Sequence, residues 1–393
     1  MAPPSTDRPA DAGPRRASRA LLVCVALTFV LHVATYLLNT QLPLHLMTLG
    51  GSHAQIGWLF GVTTLVGLVL RPQVGGWTDR YGARAVMMPG AVVLVLTMLG
   101  LAAAGRPLAI IVLMAGLGLA GALISTTGSI VVANESPGDR RGEWLSLFYV
   151  FSSAGVALGP AIGFALADLG GMRLNFVAVI ALSLVAVALV LALRTAAGNP
   201  SAPGGLGRPW SRYAVPASLA LIVITTGHAT VYAFLPMHAG AAGLGSAAWF
   251  FPLMSGFTIV CRLILRRTSD RVGRAPVLVP AIVLLALGNA VLAAPPTTLS
   301  LVMGAALLGS GNSMLYPTLI ALVVDRTPLA ERGRAIGTLS GAWDVGVAIG
   351  APAIALLVDA RGFSAGFLAS AVASLLGLAV FLANERHRRL AAA

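Results

Sequence analysis

The sequence contains no lysine, two cysteines and few charges of either sign. Only 10% of its 393 residues are charged and 57% are hydrophobic, whereas soluble domains carry about 25% charged residues. A soluble protein of this length needs polar residues to cover its outside, and too few are present. The formal net charge of +13 comes from 26 basic residues, all arginine. They lie in short gaps between apolar runs, not along one helix face, which argues against a nucleic-acid partner. Cys24 and Cys261 sit in apolar segments far apart in the chain, so they read as inert buried thiols, not as a disulfide or metal pair. There is no His-Glu-x-x-His and no Walker loop. An enzyme, a nucleotide-driven pump and a resident metal or cofactor are therefore not expected.

What the chain does have is long apolar runs. A helix needs about 20 apolar residues to cross the hydrocarbon core. Twelve stretches qualify: 20–42, 54–77, 85–105, 108–134, 143–167 and 172–193, then 213–239, 246–268, 276–294, 298–325, 333–358 and 362–384. The fold class expected is all-α and integral to the membrane, with twelve transmembrane helices in two pseudo-symmetric six-helix bundles. Residues 1–19 read as a disordered cytoplasmic tail, 20–193 as the first bundle, 194–212 as a Pro/Gly-rich cytoplasmic linker, 213–384 as the second bundle and 385–393 as a cytoplasmic tail. The first run is too long for a signal-peptide core and no small-residue cleavage site ends it. With the amino terminus inside, Arg106, Arg173 and Arg361 are the only arginines assigned to outer loops. That asymmetry places both termini in the cytoplasm.

A shift of 191 residues superposes Arg71, Asp79, Arg80 and Gly82 on Arg262, Asp270, Arg271 and Gly273. It also carries Trp58 to Trp249, Pro137 to Pro328, Gly155 to Gly346, Gly159 to Gly350 and Asp168 to Asp359. One unchanged offset over several spans implies duplication, as in many secondary transporters, whose substrate site lies near the midplane between repeats.

The segment Gly75-Gly76-Trp77-Thr78-Asp79-Arg80-Tyr81-Gly82-Ala83-Arg84 joins the second and third spans, and Asp270-Arg271-Val272-Gly273-Arg274 recurs between the eighth and ninth. Both resemble the signature loop of the major facilitator superfamily. The resemblance implies a conformational latch in which Gly75 lets a neighbouring helix approach and Asp79 meets the N-terminal end of a helix of the other half. Gly82 turns the chain, and Arg80 and Arg84 hold the loop at the anionic inner face, as Arg271, Gly273 and Arg274 do in the second copy. Gly155, Gly159, Pro160 and Gly163 resemble the superfamily's antiporter motif, with Phe164 in place of its last glycine. Gly116, Gly118 and Gly121 match a dinucleotide-binding pattern, but no βαβ unit surrounds them and helix packing explains them. Met114 stands where many drug antiporters of the superfamily carry an arginine, so a coupling mechanism through that arginine does not carry over.

Ionisable groups inside a membrane are costly, which makes them functional candidates. Asp344 lies about 16 Å into its span at 1.5 Å per residue, with no basic residue within a turn along the chain. As a lone buried carboxylate it is the first candidate for proton coupling. A structural acid, or a contact to a cationic substrate, are its alternative readings. His32 and Tyr36, and likewise His228 and Tyr232, stand four apart and share helix faces. The resemblance places spans one, four, seven and ten around the central cavity. This makes His32, Tyr36, Asn39, Thr226, His228, Tyr232, Asn312, Tyr316 and Asp344 substrate-binding candidates, with His32 and His228 next after Asp344 for protons; helix-packing hydrogen bonds are the competing reading. Arg71 and Arg262 snorkel near the inner face, where contacts between the halves fit them better than substrate.

Together these features point to a monomeric secondary transporter of the bacterial inner membrane, exporting a small organic compound (drug, metabolite or sugar-like) by proton antiport through alternating access. The expected partners are that substrate, protons and the lipid bilayer. The alternatives are a proton-coupled nutrient symporter, and a lipid flippase or transport-dead sensor of the same fold.

Overall fold

The computed structural model describes residues 19–136, 141–195, 198, 210–265, 268–328 and 331–392. Within these, the side chains of 141–143, 146, 270, 333 and 389–392 lie outside the description. The expected amino-terminal tail and most of the expected linker fall outside the described residues.

No strand occurs among the described residues. The first half comprises α1 (Arg19–Thr48), α2 (His53–Tyr81), α3 (Ala83–Ala103) and α4 (Pro107–Glu135). The run Arg141–Ala192 is broken at Gly170 and Gly171, which divides it into α5 (141–169) and α6 (172–192). The second half comprises α7 (Val215–Ala241), α8 (Phe250–Leu265), α9 (Arg274–Ala293), α10 (Thr298–Asp325), α11 (Arg332–Arg361) and α12 (Phe363–Ala392). All but α8 have the length and hydropathy to cross a bilayer; α8 is shorter and is followed by a helical turn at Thr268–Val272. The result is an all-α, twelve-helix membrane fold. The last helix runs to Ala392, well beyond the span end expected at 384.

Lipid is the solvent this surface is made for. Leu65, Leu96, Val112, Leu184, Ile264 and Leu375 are each half-exposed or more, and a belt of large apolar side chains on that scale would be costly in water.

The duplication is written into the backbone. Gly82 and Gly273, one offset apart, have φ of +84° and +93° and start α3 and α9. Gly171 and Gly362, also one offset apart, have φ of +66° and +83° and divide α5 from α6 and α11 from α12. Only glycine takes these angles without steric cost. Close crossings repeat as well: Gly118 of α4 abuts the Thr63 carbonyl of α2, and Gly309 of α10 abuts the Met254 carbonyl of α8. α4 carries a π-helical turn at Ala122–Thr126, and α7 loosens at Thr226–Gly227. Neither irregularity is announced by hydropathy.

Candidate functional site

The two halves meet along two seams, α2 against α11 and α5 against α8. The bundle has two ends: the linker face, which carries Asp79–Gly82, and the far face opposite it. At the far face of the first seam, Asp359 of α11 caps the N-terminus of α2. Its Oδ2 accepts from the Ala54 backbone N–H at 2.8 Å and its Oδ1 pairs with His53 Nδ1 at 2.7 Å. Deeper, the α2 glycines bring the backbones together: a methyl on Gly57 would lie 2.7 Å from the Ala351 carbonyl.

Further toward the linker face, Arg71 of α2 reaches Asp344 of α11, Nε to Oδ2 3.1 Å. The Asp344 side chain is 5% exposed and that of Arg71 36%. The approach is short, yet neither atom has an aligned hydrogen-bond partner, so charge holds the pair. This corrects the reading of Asp344 as a lone carboxylate. Its counter-charge comes from another helix, which sequence neighbourhood does not reveal. The expectation that Arg71 serves contact between the halves agrees with this geometry.

Around the pair, aromatic rings cross from one half to the other. His32 stacks on Tyr36 at 6.4 Å, Tyr36 meets Tyr232 edge-on at 5.1 Å, and Tyr232 is 5.4 Å from His228. His228 lies 4.6 Å from Trp343, the neighbour of Asp344, and Trp343 lies 5.5 Å from Tyr316. The structure thus brings His32, Tyr36, His228, Tyr232, Tyr316 and Asp344 into one path. Some polar atoms on it are already engaged. His32 Nδ1–H donates to the Thr28 carbonyl at 2.7 Å, and the Tyr316 and Ser340 hydroxyls pair at 2.9 Å. His228 Nε2 is buried with no partner.

Three candidates are not on that path. Thr226 donates to the Val223 carbonyl at 2.7 Å and its backbone is packed against Gly350 of α11, so its hydroxyl serves the loosened turn of α7. Asn39 is half-buried on α1 without a hydrogen bond among the described residues. Asn312 lines a cavity of about 40 Å³ that lies inside the second half rather than between the halves. His228, Tyr232, Trp343 and Asn289 share its wall. Asn289 Oδ1 is buried and unpartnered while Nδ2 donates to the Leu285 carbonyl at 3.0 Å. Asn289 went unnoticed in the sequence because one asparagine in an apolar run carries no spacing signal. Among the described residues no three metal-ligating side chains come together.

Among the described residues, the side chains expected to form a latch make no contact between the halves in this conformation. A methyl on Gly75 would meet nothing within 4 Å, which corrects the expectation of a close helix contact there. Asp79 is exposed and has no partner among the described residues, so it meets no helix terminus. The carboxylate that does cap a helix of the other half is Asp359, at the opposite face. Arg80 lies over the Tyr81 ring at 5.5 Å, Arg84 and Arg271 are exposed, and the Gly198 backbone rests on the Arg80–Gly82 turn. Arg274 pairs with Asp325 at 2.9 Å; the Asp270 side chain lies outside the description. The antiporter-like glycines Gly155, Gly159 and Gly163 seat α5 on α1. Methyls there would come 2.8 Å from the Phe29 carbonyl, 2.8 Å from Leu37 N and 3.0 Å from Gln41 Cγ, and Pro160 stands among them in α5.

With this geometry in hand, comparison with known proteins is direct. A sequence model of the Major Facilitator Superfamily matches residues 24–270 and 217–392. The staphylopine export protein of Staphylococcus aureus (strain Mu50) is 22% identical over 355 residues, covering 86% of this chain and 89% of that protein. The multidrug resistance protein MdtG of Enterobacter lignolyticus is 26% identical over 367 residues, covering 88% and 87%. Among solved structures, a POT family transporter in complex with 5-aminolevulinic acid superposes with a TM-score of 0.81 at 12% identity, covering 95% of this chain and 98% of that one. The nucleoside transporter NupG gives 0.74 at 16% identity, covering 93% and 98%. These relatives are transporters, not enzymes, and the family match spans both halves. The chain belongs to the Major Facilitator Superfamily of membrane transporters.

Proposed function

We propose that this protein exports a small organic compound across the bacterial cytoplasmic membrane in exchange for protons, as a monomer with both termini inside. The observation that carries the reading is the Arg71–Asp344 contact. It is a buried carboxylate, paired by charge alone, on the seam where the two halves must slide during alternating access. Deprotonated Asp344 attracts Arg71 and draws α11 to α2. A proton on Asp344 removes that attraction and slackens the seam. The far face is clasped by Asp359 and the latch at the linker face is apart, so this conformation fits the cytoplasm-facing stage of such a cycle.

Export is favoured over uptake by the exporters among the full-length relatives and by the antiporter-like glycines of α5. The path along which a compound would be held is mostly aromatic and apolar, with neutral hydrogen-bonding groups at His228, Asn289 and Asn312. Such a lining suits amphipathic compounds better than highly charged nutrients. The 40 Å³ cavity has room for a few water molecules, so it widens before a compound enters. The test is purified protein in liposomes carrying an internal pH dye under an imposed pH gradient, with ethidium and staphylopine as first probes of a wider panel. Antiport gives compound movement against proton movement. Compound and protons moving in the same direction would replace export with symport.

A further inference from the structure

The offset of 191 residues carries Arg71 to Arg262, and it also carries Ser153 to Asp344. In the folded chain these four residues meet crosswise. Arg71 of α2 reaches Asp344 of α11 at 3.1 Å, and Arg262 of α8 donates from Nη1 to Ser153 Oγ of α5 at 2.9 Å. Each seam therefore carries an arginine from the motif helix of one half, directed at one equivalent position in the other half. The two contacts differ in what the arginine finds, a carboxylate on one seam and a hydroxyl on the other. Arg262 is further steadied by the Ser313 carbonyl, 3.4 Å from its Nε. Helix crossings and glycine turns repeat at the same offset on either side, so the coincidence of positions belongs to the duplicated architecture.

We infer that Arg262 and Ser153 are the second clasp of the transport cycle, a neutral counterpart of Arg71 and Asp344, and that this inequality confines the proton response to the α2–α11 seam. Ser153 is thus a positioning residue, and its side chain decides whether the α5–α8 seam answers to protons. The inference rests on the proposed role of Asp344 for its pH component, though not for the clasp itself. The groups facing the first clasp are His32 of α1, Tyr149 of α5 and Tyr316 of α10, all close enough to feel the charge of Arg71. His228 of α7 stands behind Trp343. Cys261 of α8 and Ser310 of α10 flank the second clasp, joined at 3.3 Å.

The test transposes the acid. Spin-label pairs spanning each seam, on full-length protein with Cys24 and Cys261 replaced, report inter-half distances while protons are the only ligand varied. Asp344→Ser alone should abolish the pH-dependent shift at α2–α11. Adding Ser153→Asp should restore a pH-dependent shift, now at α5–α8. Ser153→Asp alone should tighten the α5–α8 distribution at neutral pH, which tests the clasp with no reference to Asp344. Ser153→Asn, which retains a hydrogen-bonding group, should behave as wild type and serves as the folding control, alongside monodisperse elution. If Ser153→Asp leaves the α5–α8 distances unchanged in folded protein, the clasp is refuted. If it tightens them but the transposed variant shows no pH response, the confinement of proton sensitivity by this pair is refuted. A wild type without any pH shift at α2–α11 would overturn the role of Asp344 and leave the Ser153→Asp comparison to judge the clasp.

Discussion

Replacing Asp344 by Asn removes a charge and keeps the shape, which isolates the electrostatic part of the seam. At 3.1 Å two unit charges attract by about 5 kcal/mol at an effective dielectric of about 20. Much of this is offset by desolvating a carboxylate that is 5% exposed, and the 36% exposure of Arg71 screens the rest. A net preference of about 1–2 kcal/mol for the paired conformation remains, a factor of about 5–30 in a two-state equilibrium. Asp344→Asn should therefore deplete the conformation described here by that factor and populate one in which the far face is open. Spin labels at Thr48 and Arg361, both exposed at the far face, should show a longer distance component that grows in the mutant. Lowering the pH should produce the same component in wild type and no further change in the mutant. Proton-driven transport should be lost while compound binding survives. Identical distance distributions in mutant and wild type at both pH values would refute the charge-clasp reasoning.

Four other outcomes follow from the same geometry. Asp359→Asn weakens the cap on α2, and because Asp359 is about one-third exposed the shift toward far-face opening should be only about 2–5-fold, read by the same labels. Gly159→Ala places a methyl 2.8 Å from Leu37 N and the Val33 carbonyl, and should lower stability by about 1–3 kcal/mol in thermal melts of detergent-solubilised protein. Asp79→Asn should leave that melting temperature unchanged, because Asp79 is exposed and has no partner among the described residues, yet slow transport through loss of the proposed latch in the opposite state; unchanged transport would remove the latch role. Reporter fusions after Arg106, Gly198 and Ala393 should report outside, inside and inside, and a periplasmic signal at either of the last two would overturn the assigned orientation.

The helices were legible in the sequence because hydrocarbon imposes one rule, about 20 apolar residues per crossing, and little else competes with it. The turns at Gly82 and Gly273 were equally open to reading, since a glycine repeated at one offset in a loop between spans marks a backbone turn that other residues take at a cost. The partner of Asp344 was not legible by the same means. Scanning one turn on either side tests only contacts within a helix, and the groups that neutralise intramembrane charge come from other helices. Depth is the better coordinate. Arg71 lies about ten residues from the linker-face end of α2, and Asp344 about twelve from that end of α11. At 1.5 Å per residue both sit about 15–18 Å deep, and in this family fold α2 and α11 share a seam. Matching depth and seam would have paired them, and the offset would then have paired Arg262 with Ser153. The latch shows the opposite case. Its residues were named from a resemblance, yet among the described residues Asp79 has no partner and Gly75 faces open space, because a motif records contacts from every stage of a cycle while a conformation realises only some. We propose that the loop makes its contact after the far-face cap at Asp359 has been released, and the two contacts cannot both close if the halves rock as rigid bodies about the seam.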